Sequence, residues 1–446
     1  MRRELPWTSS DLSRLAEEST LLARARAGRE ALTGELTMER LREYAAELDR
    51  NEELRKSPYG PGGRIRIVDP EMLRRWRPAS RDPLPVLAHV EQQVIARTDQ
   101  LARASEWLAG LGGDPQVVEH DPRIGLTLLE TGPVTGDLFE HIVKEADRPV
   151  DLGEQRLCLG LNEVIVQAMK VKGLDSPQPT QISLGQRPEG TMAGRGVTVA
   201  VIDGGFELAD RRRTDGWDAH VIPPSGGAEQ VPSGVDVARL SGLGHGTFVS
   251  GVVSQVAPDV TIRQYRAADL FGFASSWRVK NLIHEAVADG CQIINISMST
   301  DDPELIGSPA LSACLHRLPP SAVVIAAAGN DGWRLPPMPA AHTAALAIGS
   351  LDPNLDPESW SNYGTWVDAS CVGTVVSTYV SLDGHEENPV RLWSGTSFSA
   401  PQVSGLLALE LSNGMGIADA WQSLRLTAHG QTGNPLPDYG HRVRIL

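Results

Sequence analysis

Short apolar segments alternate with amphipathic segments through a glycine-rich region at about residues 192–446. Period and composition predict strands at 197–202, 260–265, 292–296, 323–327 and 345–348. The segment 276–288 has helical spacing and is followed by Gly290. Apolar strands separated by helices are typical of a parallel sheet that is covered on both faces. We therefore predict an α/β domain with a doubly wound parallel sheet over 192–446.

The preceding region, at about 83–175, also alternates strand and helix patterns. The predicted elements are, in chain order, strand 86–96, helix 101–111, strands 116–119 and 124–130, helix 137–146 and strand 159–169. This β-α-β-β-α-β order is typical of the ferredoxin-like arrangement. We predict a separate α+β domain here, joined to the last region by a linker at 176–191.

The first region, 1–82, is rich in Arg, Glu, Ala and Leu and predicts a helical extension. Ser10 or Asp11 can cap one helix and Thr37 a second. The apolar residues at helical spacing are Leu12, Leu15 and Leu22 in the first helix, and Leu41, Tyr44, Ala45 and Leu48 in the second. These helices either pack on the rest of the chain or recruit a partner, and the pattern leaves both interpretations open.

Composition excludes some classes of protein. With 446 residues the chain is long enough for two or three domains. A formal net charge of -15 argues against a general affinity for nucleic acid or for an anionic membrane. The N-terminus lacks an apolar signal segment and no run is long enough to span a bilayer, so we expect a cytoplasmic location. The four scattered cysteines predict structural thiols, without a metal site or a disulfide framework.

Four short segments in the last region contain candidate catalytic side chains. Asp203 ends an apolar strand and precedes two glycines, and His245 lies between glycines where an apolar helix starts. Asn330 directly follows Gly329, shortly after the predicted strand 323–327, and Ser397 precedes another apolar helix. Taken singly, each residue is more often a turn former or a helix cap.

Together, the four segments resemble the Asp, His, oxyanion Asn and Ser motifs of the subtilase family, in that family's chain order. The resemblance extends to Val-Ala-Pro at 256–258, to the strand 293–299 and to the loop 360–364. It implies a subtilisin-like α/β fold over 192–446 and the activity of a serine endopeptidase, which hydrolyses peptide bonds in a protein or peptide substrate.

The resemblance also implies a role for each side chain. His245 would take the proton of Ser397 as the hydroxyl attacks, and would later give it to the leaving amine. Asp203 would hold the tautomer of His245 and stabilise the imidazolium. The side chain of Asn330 and the backbone N–H of Ser397 would form the oxyanion hole.

Two further segments are expected to line the substrate cleft. Ser297, Met298 and Ser299 lie on the strand that lines the cleft in the family. Phe271 and Phe273 fall where the family has a rim of the cleft, and they predict either an apolar pocket for a substrate side chain or ordinary core packing. We count all five as candidate substrate-binding residues.

Subtilase propeptides are ferredoxin-like and precede the catalytic domain. The resemblance therefore implies that 83–175 is a propeptide-like domain that helps folding and inhibits the enzyme within the same chain, as in a zymogen. The segment 171–191 would then cross or approach the active site. This expectation rests on the order and position of the elements.

Two other functions stay open at the level of sequence. A subtilase-type transpeptidase or macrocyclase would transfer the acyl group to an amine during peptide maturation. An inactive scaffold would bind a partner through the N-terminal helices. We expect no cofactor: calcium is possible in this family, but no loop here has the alternating oxygen ligands of a calcium site.

Overall fold

The structure is a computed structural model of the chain. It describes residues 33–57, 59–69, 72–73, 87–148, 155–167, 178–180, 182–206, 213–223, 242–300, 308–381, 386–432 and 435–444. The predicted helix that follows Ser10 or Asp11 lies outside the described residues.

The N-terminal extension contains one long helix. The elements are helix α1 (Thr33–Arg50), helix α2 (Glu52–Arg55) and strand β1 (Ile65–Ile67). Helix α1 begins at Thr33, so the predicted cap at Thr37 is wrong. Leu41, Tyr44 and Leu48 lie along one face at helical spacing, and all three are buried.

The second region forms a four-stranded antiparallel sheet with two helices. Its elements are β2 (Ala88–Arg97), α3 (Leu101–Gly110), β3 (Gln116–Asp121), β4 (Leu126–Glu130), α4 (Leu138–Asp147) and β5 (Leu159–Gln167). The strands lie in the order β5-β2-β4-β3, and β1 adds to β2. Chain order and strand order are those of a ferredoxin-like unit. Asp137 caps α4 by accepting a hydrogen bond from the backbone N–H of Glu140.

An eight-stranded parallel sheet forms the centre of the last region. Between β5 and this sheet the chain contains the short strand β6 (Gln178–Pro179). The sheet contains β7 (Thr198–Asp203), β8 (Val221–Ile222), β9 (Thr261–Arg266), β11 (Ile293–Ile296), β13 (Val323–Ala327), β14 (Ala345–Leu351), β15 (Ala369–Val372) and β18 (His441–Arg442). The spatial order is β18-β15-β14-β13-β11-β7-β9-β8. The strand predictions missed β8, β15 and β18, which are short or come late in the chain.

Helices cover both faces of this sheet. They are α5 (His245–Val256), α6 (Ser276–Ala288), α7 (Pro309–Leu315), α8 (Thr396–Ser412) and α9 (Ile417–Thr432). Along β7, Val199 and Val201 pack with α5, α8 and α9. The alternate residues Ala200 and Ile202 pack with α6 and α7 on the opposite face. The predicted doubly wound α/β sheet is therefore confirmed.

Short strands connect the regions. Strand β6 lies within the predicted linker and pairs with β17 (Val390–Ser394), which also pairs with β16 (Thr374–Thr378). Strand β5 of the second region pairs with β10 (Phe273–Ser275) on one side and with β12 (Met298–Ser299) on the other. The N-terminal sheet thus continues into two strands of the last region. Of the described helices, none combines the length and apolarity needed to cross a membrane.

Candidate active site

The candidate site lies where the strand order of the parallel sheet reverses. Strand β7 has β9 on one side and β11 on the other. Strands β8 and β9 are added on the first side of β7, and β11 and the later strands of the sheet are added on the second. Crevices at such a switch point, at the carboxyl ends of the strands, are where open α/β sheets bind ligands. Asp203 is the last residue of β7 and its side chain is fully buried.

His245 is the first residue of α5 and contacts Asp203 directly. Its Nδ1 lies 2.7 Å from Oδ1 of Asp203, and both side chains are fully buried. When Nδ1 carries the proton and its N–H donates a hydrogen bond to the carboxylate, Nε2 is left as the basic atom. Nε2 of His245 has no hydrogen-bond partner within the described part of the chain.

A glycine lets α5 come this close to the end of β7. A Cβ atom at Gly246 would lie 2.5 Å from the carbonyl oxygen of Gly205 and 2.4 Å from Nε2 of Gln264. Gln264, on β9, donates to the carbonyl of Gly204 and accepts from the hydroxyl of Ser250. This glutamine therefore links the loop after Asp203 to helix α5.

Aromatic side chains hold the ring of His245 in place. The indole of Trp393 meets the imidazole edge to face with ring centroids 5.3 Å apart, and Phe398 lies at 5.4 Å. Phe248, one turn along α5, packs on both of these aromatic rings. Since Phe398 directly follows Ser397, this packing brings the start of α8 beside the start of α5.

Ser397 is the second residue of α8, and its backbone carbonyl lacks the usual helical hydrogen bond because the residue four positions later is a proline. Pro401 lies inside the helix and has no N–H to donate to that carbonyl. The hydroxyl of Ser297 donates to it instead, at 2.9 Å. The hydroxyl of Ser397 in turn donates to the carbonyl of Ser297 at 3.2 Å. Ser297 thus has a positioning contact with the candidate nucleophile.

The amide of Asn330 is oriented by Thr396. Its Oδ1 accepts from the backbone N–H of Thr396 at 2.8 Å and from the hydroxyl at 2.9 Å. The hydroxyl of Thr396 also accepts from the backbone N–H of Gly329. With Oδ1 held in this way, Nδ2 is the atom of the amide that is turned toward other groups. An amide donor beside the N-terminus of α8 suits an oxyanion site.

The candidate substrate-binding residues lie on both sides of β5. Met298 is opposite Gln167 in the β12–β5 pair, and Phe273 is opposite Val166 in the β10–β5 pair. Met298 and Phe273 are almost completely buried, whereas Phe271 is only partly buried. We call the groove between β10 and β12 the cleft. In this structure the last strand of the N-terminal sheet lies in it.

Gln167, which the sequence analysis did not single out, reaches the site from β5. Its Nε2 donates to Oδ1 of Asp203 at 2.7 Å. The same oxygen accepts from the backbone N–H of Gly204 at 2.6 Å and lies beside Nδ1 of His245. Oδ2 of Asp203 has no partner in the described residues. A polar residue at the end of an apolar strand was the available signal in the sequence.

All four cysteines are free thiols in this structure, and three of them are buried. Burial raises the pKa of Cys371 to about 12 and likewise that of Cys314 to about 12. Both thiols therefore stay protonated at neutral pH. Neither is therefore suited to act as a nucleophile.

Comparisons with known proteins agree with this architecture. A model of the subtilase family matches residues 194–441. The thermophilic serine proteinase of Bacillus sp. (strain AK1) is 31% identical over 54% of this chain and 59% of its own length. Thermitase of Thermoactinomyces vulgaris is 29% identical over 54% of this chain and 84% of its own. The chain therefore spans little more than half of the first relative.

A solved structure shows the same fold. Fervidolysin from Fervidobacterium pennivorans, a keratinolytic enzyme related to subtilisin, superposes with a TM-score of 0.57. The match covers 80% of this chain and 60% of that one, at 17% identity. It therefore extends beyond the part of the chain that the family model matches. On the family match over more than half of its residues, this chain is a member of the subtilase family.

Proposed function

We propose that the chain is a serine endopeptidase that hydrolyses peptide bonds through an acyl-enzyme on Ser397. The observation that carries the proposal is the contact between Asp203 and His245, whose Nδ1 and Oδ1 lie 2.7 Å apart beside the start of α8. Family membership and relatives named as serine proteinases support it. A buried carboxylate that fixes the imidazole tautomer is what general-base catalysis requires.

The proposed reaction begins with attack by the hydroxyl of Ser397 on the scissile carbonyl carbon. As the C–O bond forms, Nε2 of His245 takes the hydroxyl proton and Asp203 stabilises the imidazolium. The side chain of Asn330 and the backbone N–H of Ser397 donate to the oxyanion. The C–N bond then breaks as His245 gives its proton to the leaving amine, and water releases the acyl group in the reverse manner.

The attack requires the hydroxyl of Ser397 to turn away from its present acceptor. It now donates to the carbonyl of Ser297, while Nε2 of His245 has no partner among the described residues. Rotation of the Ser397 side chain would direct its proton to the imidazole. The rotation would exchange the hydrogen bond to the carbonyl of Ser297 for one to the imidazole.

Product masses test the proposal against its alternatives. Incubated with a peptide library, a hydrolase yields fragments whose summed mass exceeds that of the substrate by one water. A transpeptidase or macrocyclase yields transferred or cyclic products without that gain, and a scaffold yields no product. Ser397→Ala should abolish all turnover. Products that persist in this variant would contradict the proposal.

We further propose that the N-terminal region inhibits the enzyme within the same chain. Strand β5 fills the cleft between β10 and β12, and Gln167 binds the carboxylate of Asp203. A substrate strand would need the same backbone groups, so it would have to displace β5. The ferredoxin-like order of the preceding elements supports a propeptide-like role for 83–175.

Self-cleavage tests this regulation. The proposal expects wild-type chain to be cut within 171–191 while Ser397→Ala stays intact. Strand β6 pairs with β17, so cleavage at 178–179 would first require this pairing to open. Full-length chain from both proteins after prolonged incubation, by intact-mass measurement, would argue against it.

We also propose a cytoplasmic location. Four free thiols suit a reducing compartment, since cysteines in oxidising compartments are commonly paired. Fractionation of cells that express the tagged chain would test this. Recovery outside the cytoplasm would refute it.

A further inference from the structure

The N-terminal helix α1 contacts the rim of the cleft through one tyrosine. The ring of Tyr44 stacks on Phe273, with centroids 4.1 Å apart and an interplanar angle of 9°. Phe271 packs on the same ring at 5.5 Å in a tilted arrangement. The hydroxyl of Tyr44 donates to Oδ2 of Asp269, and both residues are buried. We call Asp269, Phe271 and Phe273 the rim pocket.

The rim pocket is shaped to take a side chain with a donor at its tip. Oδ1 of Asp269 accepts from the backbone N–H groups of Phe271 and Phe273. Oδ2 is thereby left to face the phenol. Two aromatic rings beside a fixed carboxylate oxygen complement both the apolar and the polar part of a tyrosine.

A second part of the N-terminal extension closes the pocket from another side. Gly60 lies so close that a Cβ atom there would be 2.9 Å from Oδ2 of Asp269, and its N–H donates to the carbonyl of Ala267. The ring of Tyr59 lies under the guanidinium of Arg266, at 4.1 Å. Arg266 and Ala267, which these contacts involve, lie where β9 ends and the chain continues to the rim pocket.

The buried hydrophobic cluster around Tyr44 and Phe273 also contains a residue of β5, the strand that fills the cleft. Val164 of β5 lies opposite Ser275 of β10, and it is buried with Leu41, Tyr44 and Phe273. Helix α1 therefore covers the junction at which β5 meets β10. While the helix is in place, β5 cannot separate from β10 without opening this cluster.

We propose that helix α1 is an intramolecular clamp: Tyr44 fills the rim pocket and locks β5 into the cleft until the helix leaves. The clamp is distinct from the ferredoxin-like domain and gives residues 33–60 a role in inhibition. It rests on the proposed function only in what it inhibits, since the contact itself exists without catalysis.

Burial of the Asp269 carboxylate costs free energy, and packing alone does not require a charged group at this position. Desolvation raises the pKa of Asp269 to about 6, although Tyr44 and two backbone amides act against it. The ionised group is therefore buried at some cost in stability. Such a contact suits a state that has to open again, because the carboxylate returns to water when α1 leaves.

Hydrogen exchange in a catalytically dead chain tests the clamp independently of protease activity. In the Ser397→Ala chain, Tyr44→Ala should raise amide exchange in peptides that span 159–167 and 270–276 by about tenfold. Tyr44→Phe keeps the ring but loses the hydroxyl, and it should give a smaller rise. Glu43→Ala, at an exposed neighbouring position on α1, is the matched control and should change neither peptide.

The results separate the clamp from the proposed function. Unchanged exchange at 159–167 in Tyr44→Ala would overturn the clamp, whatever the enzyme does. Equal increases in Tyr44→Ala and Glu43→Ala would also overturn it, because they would reflect general loosening of α1. Absence of peptide-library products from a Tyr44→Ala chain that keeps Ser397, together with raised exchange in the Ser397→Ala, Tyr44→Ala chain, would instead refute the protease and leave the clamp standing.

Discussion

At the scale of single residues, key polar atoms of the candidate site already have hydrogen-bond partners in the structure. One carboxylate oxygen of Asp203 accepts hydrogen bonds from three donors, and the side-chain oxygen of Asn330 accepts from Thr396. Such preorganisation means that little has to move when charge develops on a substrate oxygen. The catalytic roles of these groups are therefore best tested by substitutions that keep their size.

Replacing Asn330 with Leu should lower turnover by about 100- to 1,000-fold, since one oxyanion donor is lost. The Michaelis constant should change little, because the oxyanion forms only in the transition state. Steady-state hydrolysis of a substrate found in the peptide library measures both constants. A rise in the Michaelis constant with unchanged turnover would contradict the proposed role of Asn330.

Asp269 predicts a pH dependence of the clamp. The pKa of Asp269 is raised to about 6 in the closed state and is about 3.9 for an exposed aspartate, so the closed state binds the proton more tightly. Closure is therefore most favourable below about pH 4 and weakens as the pH rises through 6. The groups that face Asp269 are the phenol of Tyr44 and, more distantly, Arg266.

The corresponding measurement is exchange protection of 159–167 in the Ser397→Ala chain between pH 4 and 7, corrected for intrinsic exchange. Protection should fall with rising pH. Asp269→Asn has no titrating group at this position, so its profile should be flatter. The same slope in both chains would show that another group is responsible.

At the scale of elements, strand β5 and helix α6 join the N-terminal sheet to the eight-stranded parallel sheet. Lys280 of α6 is completely buried and donates to Asp121 of β3 at 2.8 Å. Asn162 of β5 accepts from the backbone N–H of Trp277 at the start of the same helix. Desolvation acts to raise the pKa of Asp121, but hydrogen bonds from Arg123 and Lys280 outweigh it and hold that pKa well below its usual range.

Removing the charge of Lys280 should weaken the attachment of the N-terminal sheet. Lys280→Met leaves Arg123 as the hydrogen-bonded cation at the buried Asp121, with Nε2 of His284 3.5 Å away, and we expect a loss near the lower end of about 3–5 kcal/mol in the free energy of unfolding. A double-mutant cycle with Asp121→Leu should show coupling of about 1 kcal/mol or more. The pair Lys144–Glu140, which is far more solvent-accessible than Lys280–Asp121, is the control and should couple far less. Purely additive effects at Lys280 and Asp121 would contradict the prediction.

Gln167 predicts how β5 can be released. Gln167→Glu places a second carboxylate against Asp203 in a buried site, and the repulsion should expel the strand. A fluorophosphonate probe should then label Ser397 faster than in wild type by about tenfold. Gln167→Met, which has similar length and no charge, is the matched control and should give a smaller increase. Equal rates in the two variants would show that charge at this position does not matter.

At the scale of the whole molecule, local patterns predicted most of the fold. The alternation of strand and helix patterns over 83–175 and 192–446 matches the observed order, since each apolar strand is bounded by turn residues. Strands β8 and β18 were missed because strands of two residues have no measurable period, and β15 was missed because it has fewer aliphatic residues than the equally short β11. Thr37, the predicted cap, lies inside α1, because residue type alone does not distinguish a capping threonine from one within a helix.

The site was less predictable than the sheet. Asp203, His245, Asn330 and Ser397 were found through their motifs, which lie where strands end or helices begin. Gln167 and the Tyr44–Asp269 contact join residues that are far apart in the chain, and no local pattern encodes such pairs. Tyr44 was assigned to the buried face of its helix, but its partner depends on how the regions pack together.

The central claim is that Asp203, His245 and Ser397 form one working proton relay. Labelling of the intact chain by a fluorophosphonate, which reacts only with an activated serine, tests it most directly. We predict that the folded wild-type chain is labelled at Ser397, that His245→Ala is labelled at least about 100-fold more slowly, and that Ser397→Ala and denatured chain are not labelled. Equal labelling of wild type and His245→Ala, or none in either wild type or Gln167→Glu, would contradict the account.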